Sequence, residues 1–235
     1  MIVEVSKMTI PPMPGGPVEN KPLHFIWICD CSGSMMADGK ISSLNTAIRE
    51  ALPEMKKIAD QNPFAKIFVR AIKFSNGAEW INKDPVPLEN FSWFDLEAGG
   101  VTDMGKALSM VADEIKIPPM PKSRAFPPVL VLVSDGQPTD NFEGGLKKLL
   151  DESWGKRAVR IGIGIGDDAD MDVLQKFINN PEIKPLLARN SPELIRLIRW
   201  VSTAVTQTVS ESSETKGGLT PPPPPISDDK DPITW

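Results

Sequence analysis

A chain of 235 residues, 40% of them hydrophobic, carries enough apolar side chain for one sizeable core and does not demand a second. Its formal net charge of −5 comes from acids and bases mixed along most of the length, which excludes an electrostatic footprint for nucleic acid or an anionic membrane. No run nears the roughly 18 apolar residues of a membrane span, and no charged segment followed by an apolar one opens the chain, so a soluble, cytoplasmic protein is expected.

Residues 1–22 read as an arm. Met1–Lys7 has the makings of a short strand, but Pro11, Pro12, Pro14, Gly15, Gly16, Pro17 and Pro22 follow. Leu23–Cys29 is an almost continuous apolar run, as expected of a strand covered on both faces. It stops in Asp30-Cys31-Ser32-Gly33-Ser34, where one carboxylate and two hydroxyls alternate with small residues. Such a turn can aim hard oxygens at one point, which suits Mg²⁺ better than a soft metal. It can equally be an Asx-type strand end capping the next helix. Cys29 and Cys31 read as buried thiols, not as a disulfide or thiolate site. The single histidine, His24, reads as a strand residue, which removes a His-based zinc site and leaves only an improbable Ser-His pair.

Ile41, Leu44, Ile48, Leu52, Met55 and Ala59 form one apolar stripe on a helix, with a kink expected at Pro53. Phe64–Phe74 is a strand, paired as a hairpin with Ala78–Asn82 across Ser75-Asn76-Gly77 into a short antiparallel edge. Asp84–Glu97 reads as a surface loop packed against the domain. In Ala98-Gly99-Gly100-Val101-Thr102-Asp103 the glycines permit close approach to a ligand. Taken alone, the stretch reads as Thr102 capping the amphipathic helix of Ala107, Leu108, Val111 and Ile115.

Pro118–Pro128 is a proline-rich, basic connection. Val129–Val133 is the clearest central strand, and it too runs into a carboxylate, in Ser134-Asp135-Gly136. A helix over Leu146–Leu150, a strand over Ala158–Ile165, a helix over Met171–Ile178 and a last strand over Pro185–Ala188 follow. Gly162, Gly164 and Gly166 miss the dinucleotide-loop spacing and suggest a helix lying close on a strand. Ser191 caps a final helix with Pro192 in its first position and Leu194, Ile198, Val201 and Val205 as its stripe.

This alternation predicts an α/β fold: a doubly wound, mostly parallel sheet with helices on both faces. Ligands of such sheets gather beyond the carboxyl ends of the strands. Asp30, Ser32, Ser34, Thr102 and Asp135 all fall on that edge, so three ambiguous segments agree on hard-oxygen chemistry at one place.

Asp30-Cys31-Ser32-Gly33-Ser34, Gly99-Gly100-Val101-Thr102-Asp103 and Ser134-Asp135-Gly136 resemble, in order, the metal-ion-dependent adhesion site of von Willebrand factor type A (VWA) domains. The likeness spans about residues 23–209. The stretches Thr102–Leu108 and Asp135–Asp140 are similar to the bacterial TerY type, linked to tellurium resistance and stress. The resemblance implies that Ser32 and Ser34 bind a metal directly, Thr102 directly or through water, and Asp30 and Asp135 mostly through water. It implies Mg²⁺, or Mn²⁺ or Ca²⁺, with a protein partner's Asp or Glu completing the coordination. The partners it suggests are a protein kinase and a PP2C-type phosphatase, or alternatively an AAA-type ATPase.

A Mg²⁺-dependent phosphatase or phosphotransferase with Asp30 as nucleophile is the rival. It is disfavoured because position 32 is Ser and no basic residue lies in the three loops except Lys106, within the helix. Residues 210–235 form a Pro-rich acidic tail, either an extended solvated segment or a docking motif in which Asp228, Asp229 or Asp231 reaches a metal.

Overall fold

The computed structural model describes residues 20–62, 64–116, 125–211 and 223–224. The N-terminal arm up to Glu19, most of the Pro118–Pro128 connection and nearly all of the acidic tail lie outside the described residues.

Among the described residues six strands form one sheet in the order β3-β2-β1-β4-β5-β6. β1 (Lys21–Asp30) pairs in parallel with β2 (Ala65–Ser75) on one side and β4 (Val129–Ser134) on the other. β5 (Val159–Ile165) and β6 (Leu186–Ala188) extend the parallel part beyond β4. β3 (Gly77–Pro87) returns antiparallel along β2 through the turn at Asn76, with Gly77 at φ +87. This edge is longer than expected: the strand continues past Asn82 to Pro87, with register shifts between Val69 and Ile72. Asn82 is the reason, since its side chain accepts from Ala71 N and donates to Val69 O, replacing ladder bonds where the register slips.

The pleat sorts β1 between two cores. Phe25, Trp27 and Cys29 face α1 (Lys40–Gln61) and the C-terminal helix α6 (Ser191–Trp200), whereas Ile26 and Ile28 face α2 (Met104–Glu114), α3 (Phe142–Asp151) and α5 (Met171–Ile178). A short α4 (Ser153–Arg157), absent from the sequence expectation, buries Trp154. α6 runs on through a π-helical turn (Val201–Val205) into α7 (Thr206–Glu211). α1 is continuous through Pro53, which sits on its exposed face, where water can satisfy the carbonyl that loses its partner.

Two caps differ from expectation. The last long helix is capped by Asn190, whose side chain accepts from Glu193 N at 2.8 Å, with Ser191 already helical. At α2 the cap position is Asp103, not Thr102, and no local side chain caps the helix. The segment after Pro87 packs as expected: Phe91, Trp93 and Leu96 are buried, and Asn45 of α1 accepts from Trp93 Nε1 and Leu96 N while donating to Leu96 O. Gly162 and Gly164 do lie under α5, where an added Cβ would stand 3.1 Å from Leu174 Cβ and 2.9 Å from Met171 Sδ. Gly166 differs: it stands past the end of β5 at φ +86.

Candidate metal centre

The chain leaves β1 toward β2 and β3 on one side, and β4 leads to β5 and β6 on the other. The strand order therefore reverses between β1 and β4, and the crevice beyond their carboxyl ends is where such sheets bind ligands. Asp30 is the last residue of β1 and Asp135 directly follows β4.

The first turn is tied down from below and from the side. Met35 is fully buried and anchors it in the core. Gly33 N donates to Gly100 O at 3.0 Å and Gly99 N to Cys31 O at 2.8 Å, which fastens it to the second loop. Gly100 holds φ +85 with no room for a side chain, because a Cβ would meet the Asn76 carboxamide at 2.6 Å. Asn76 Oδ1 in turn accepts from Val101 N.

Around this frame the five residues come together. Ser32 Oγ and Ser34 Oγ are 3.0 Å apart, and Ser34 Oγ donates to Asp135 Oδ1 at 2.7 Å. Thr102 Oγ1 and Ser34 Oγ flank Gly136, lying 3.7 and 3.6 Å from where a Cβ on it would stand, so glycine leaves space among the oxygens. Asp30 lies beneath, wholly buried, with Oδ1 accepting from Ser32 N at 2.7 Å and Oδ2 from Ser134 Oγ at 2.5 Å. Burial raises the Asp30 pKa and the Asp135 charge adds to this, while the hydrogen bonds from Ser134 and Ser32 oppose it.

The donor set of three hydroxyls and two carboxylates suits a hard divalent cation. Among the described residues no three His, Cys, Asp or Glu gather as a metal cluster, so a cation here would rely on the hydroxyls. Both cysteines are free and buried, and burial pushes the Cys31 thiol up to about 12.

Three features went unread in the sequence. Lys40, the first residue of α1, is buried, and its Nζ lies 2.8 Å from Asp135 Oδ2 and 3.0 Å from Asp168 Oδ1. No basic residue but Lys106 was read in the three loops themselves; Lys40 reaches them from the start of α1, because the first turn folds back onto the sheet edge. Its signal was a cation at a helix N-terminus, where the dipole disfavours it. Second, Ser134 holds Asp30 across the sheet. Third, Asp140 supplies the cap that α2 lacks, its carboxylate accepting from Gly105 N at 2.8 Å and Lys106 N at 2.7 Å. Beside it, Thr139 Oγ1 accepts from Thr102 N, Thr139 N donates to Thr102 O, and Asp103 accepts from Gly77 N. The Asp135–Asp140 loop thus sets the position of Thr102.

Residues 82–195 match the family model of the von Willebrand factor type A domain. The match takes in Thr102 and Asp135 and begins after the Asp30–Ser34 turn. No curated protein matches the sequence. Solved structures share the fold: the ArnB paralog VWA2 of Sulfolobus acidocaldarius, 19% identical over 76% of this chain and 44% of its own, has a TM-score of 0.56. A von Willebrand factor type A protein of Catenulispora acidiphila is 15% identical over 80% of this chain and 43% of its own, with a TM-score of 0.59. A D319A mutant of the PilB minor pilin of Streptococcus sanguinis is 15% identical over 87% and 65%, with a TM-score of 0.60. The chain spans less than half the length of the first two. The fold is that of a VWA domain, a mostly parallel six-stranded sheet with one antiparallel pair.

Proposed function

We propose that residues 23–209 form a metal-dependent protein-interaction domain. Asp30, Ser32, Ser34, Thr102 and Asp135 hold a divalent cation and present it to an Asp or Glu of a partner protein. The observation that carries this reading is the convergence of the Ser32, Ser34 and Thr102 hydroxyls with Asp135 over buried Asp30, at the switch point of the sheet. Mg²⁺ is the expected ion, since it favours six oxygen ligands and retains waters, with Mn²⁺ or Ca²⁺ as substitutes. The bound cation supplies an electrophilic position for one further carboxylate oxygen. Metal and partner affinities are then coupled, each raising the other by the same factor.

The site binds and does not catalyse. Lys40 restores a basic group that a phosphotransferase would want, but Asp30 is wholly buried and each of its oxygens is already held by a hydrogen bond, a poor setting for direct attack on phosphorus. Retention of Mg²⁺-dependent phosphatase activity in a Ser32→Ala/Ser34→Ala variant, with its loss in Asp30→Asn, would restore the enzyme reading.

The client is proposed from the TerY-like stretches Thr102–Leu108 and Asp135–Asp140: a kinase and PP2C-type phosphatase pair in a bacterial stress or tellurium-resistance system, in the cytoplasm. An AAA-type ATPase is the alternative client. Among the described residues no helix is long and apolar enough to cross a membrane. The test is a pull-down in Mg²⁺ against EDTA, repeated with Asp30→Ala. Proteins lost in both controls are the site's partners; capture indifferent to EDTA overturns the reading.

A further inference from the structure

A buried ammonium beside a metal site needs a reason. Lys40 opens α1, where the helix dipole repels it, and its N-cap, Gly39, offers no side-chain hydrogen bond. Its surroundings are nevertheless shaped to keep it. Gly39 takes a left-handed turn at φ +70, and Gly166 leaves the space in which a Cβ would stand 3.1 Å from Lys40 Cε and Nζ. Asp135 holds the ammonium from the buried side, and Asp168, two-thirds exposed, holds it from the solvent side. The ammonium is thus clamped between two carboxylates, one buried and one exposed.

We propose that Lys40 is a resident counter-cation of the metal centre. It shares Asp135 with the divalent ion and lowers the affinity for it, and Asp168 sets how much of the ammonium's charge Asp135 receives. The inference rests on the metal-binding reading above. Asp135 divides its oxygens in keeping with this: Oδ2 faces Lys40 while Oδ1 accepts from Ser34 on the hydroxyl side. Two carboxylates alone would neutralise a divalent ion. With Lys40 included the loaded centre keeps one positive charge, which Asp168 offsets weakly because it is solvated. The loaded site therefore favours an anionic side chain more than its carboxylates alone would allow, and the metal-free protein does not leave Asp135 buried and unpaired.

The experiment counts free Mn²⁺ by electron paramagnetic resonance over the full-length wild type, Lys40→Met and Asp168→Asn, and melts each protein in EDTA and in saturating Mn²⁺. Lys40→Met is expected to bind Mn²⁺ on the order of tenfold more tightly, because a like charge is gone. Asp168→Asn is expected to bind it about threefold more weakly, because the ammonium then rests wholly on Asp135. Lys40→Met should melt lower than wild type in EDTA, with the deficit shrinking in Mn²⁺. Should Lys40→Met fold poorly, the exposed Asp168→Asn change carries the test through its own sign. Affinities of both variants within twofold of wild type, weaker binding by folded Lys40→Met, or stronger binding by Asp168→Asn would overturn the proposal and leave Lys40 a structural strut. Absence of Mn²⁺ binding by wild type would overturn the metal reading itself, and the inference with it.

Discussion

Replacing Asp140 with Ala should loosen the Gly99–Asp103 loop and measurably destabilise the protein. The Asp140 carboxylate accepts from two N–H groups, Gly105 at 2.8 Å and Lys106 at 2.7 Å, at the start of a helix with no cap of its own. A lost cap costs about 0.5–2 kcal/mol, and a carboxylate at the positive end of a helix adds about 0.3–1 kcal/mol. Gly105 is buried and cannot recover its bond from water, whereas Lys106 is exposed and can, so the sum falls near 2 kcal/mol. For a domain of this size that lowers the melting temperature by about 4–8 °C. Asp140→Asn keeps the shape and one acceptor oxygen and should lose about half as much. Thermal melting in EDTA measures this cost. Mn²⁺ titration should show several-fold weaker binding by Asp140→Ala, because Thr102 is bonded to Thr139 in the same loop. A stability change within about 0.5 kcal/mol, the scatter of an ordinary surface substitution, would refute the assignment of Asp140 as the cap.

Other outcomes test other parts of the fold. His24 is buried with Nδ1 unpartnered, and burial, reinforced by the Arg70 charge, lowers its pKa from 6.5 to about 4. The folded state thus disfavours the proton: this contribution is complete above about pH 6.5 and is lost, by about 3 kcal/mol in all, as pH falls to about 4. Urea unfolding across that window should show wild type losing about 3 kcal/mol relative to His24→Phe as pH falls. Asp30, whose raised pKa slopes the other way, cancels in the difference, and parallel curves would refute the account. Gly145→Ala should destabilise by about 1–3 kcal/mol despite alanine's better helix propensity, since its Cβ would stand 2.1 Å from Gly105 O where α3 crosses α2; melting at or above the wild-type temperature would contradict that contact. Asn45→Ala strands Trp93 Nε1 and both polar backbone groups of Leu96, so limited proteolysis should cut between Phe91 and Ala98 faster than in wild type. An unchanged rate would show that burial of Phe91, Trp93 and Leu96 holds the segment unaided.

The sheet was legible because its strands are written locally. Leu23–Cys29 and Val129–Val133 are unbroken apolar runs, Asn76-Gly77 turns a hairpin, and small oxygen-bearing residues interrupt the chain where strands stop. Those properties also place Asp30, Ser32, Ser34, Thr102 and Asp135 on one edge. Caps were less legible. Thr102 and Ser191 are good cap residues, but their neighbours Asp103 and Asn190 occupy the cap positions, and a shift of one residue lies within what propensity can separate.

The sequence by itself determined the strand ends and the kind of atom found there, because burial pattern and side-chain chemistry belong to each segment alone. Only the tertiary structure decided which loops face each other. Lys40 meets Asp135 across 95 residues of chain, Asp140 reaches back 35 to cap α2, and Ser134 bonds Asp30 from 104 residues away. Such partners are selected by strand order, which brings β1 and β4 side by side and folds the first turn of α1 against both. No local period or propensity encodes that adjacency, so the lysine paired with Asp135 is one that only the folded chain delivers.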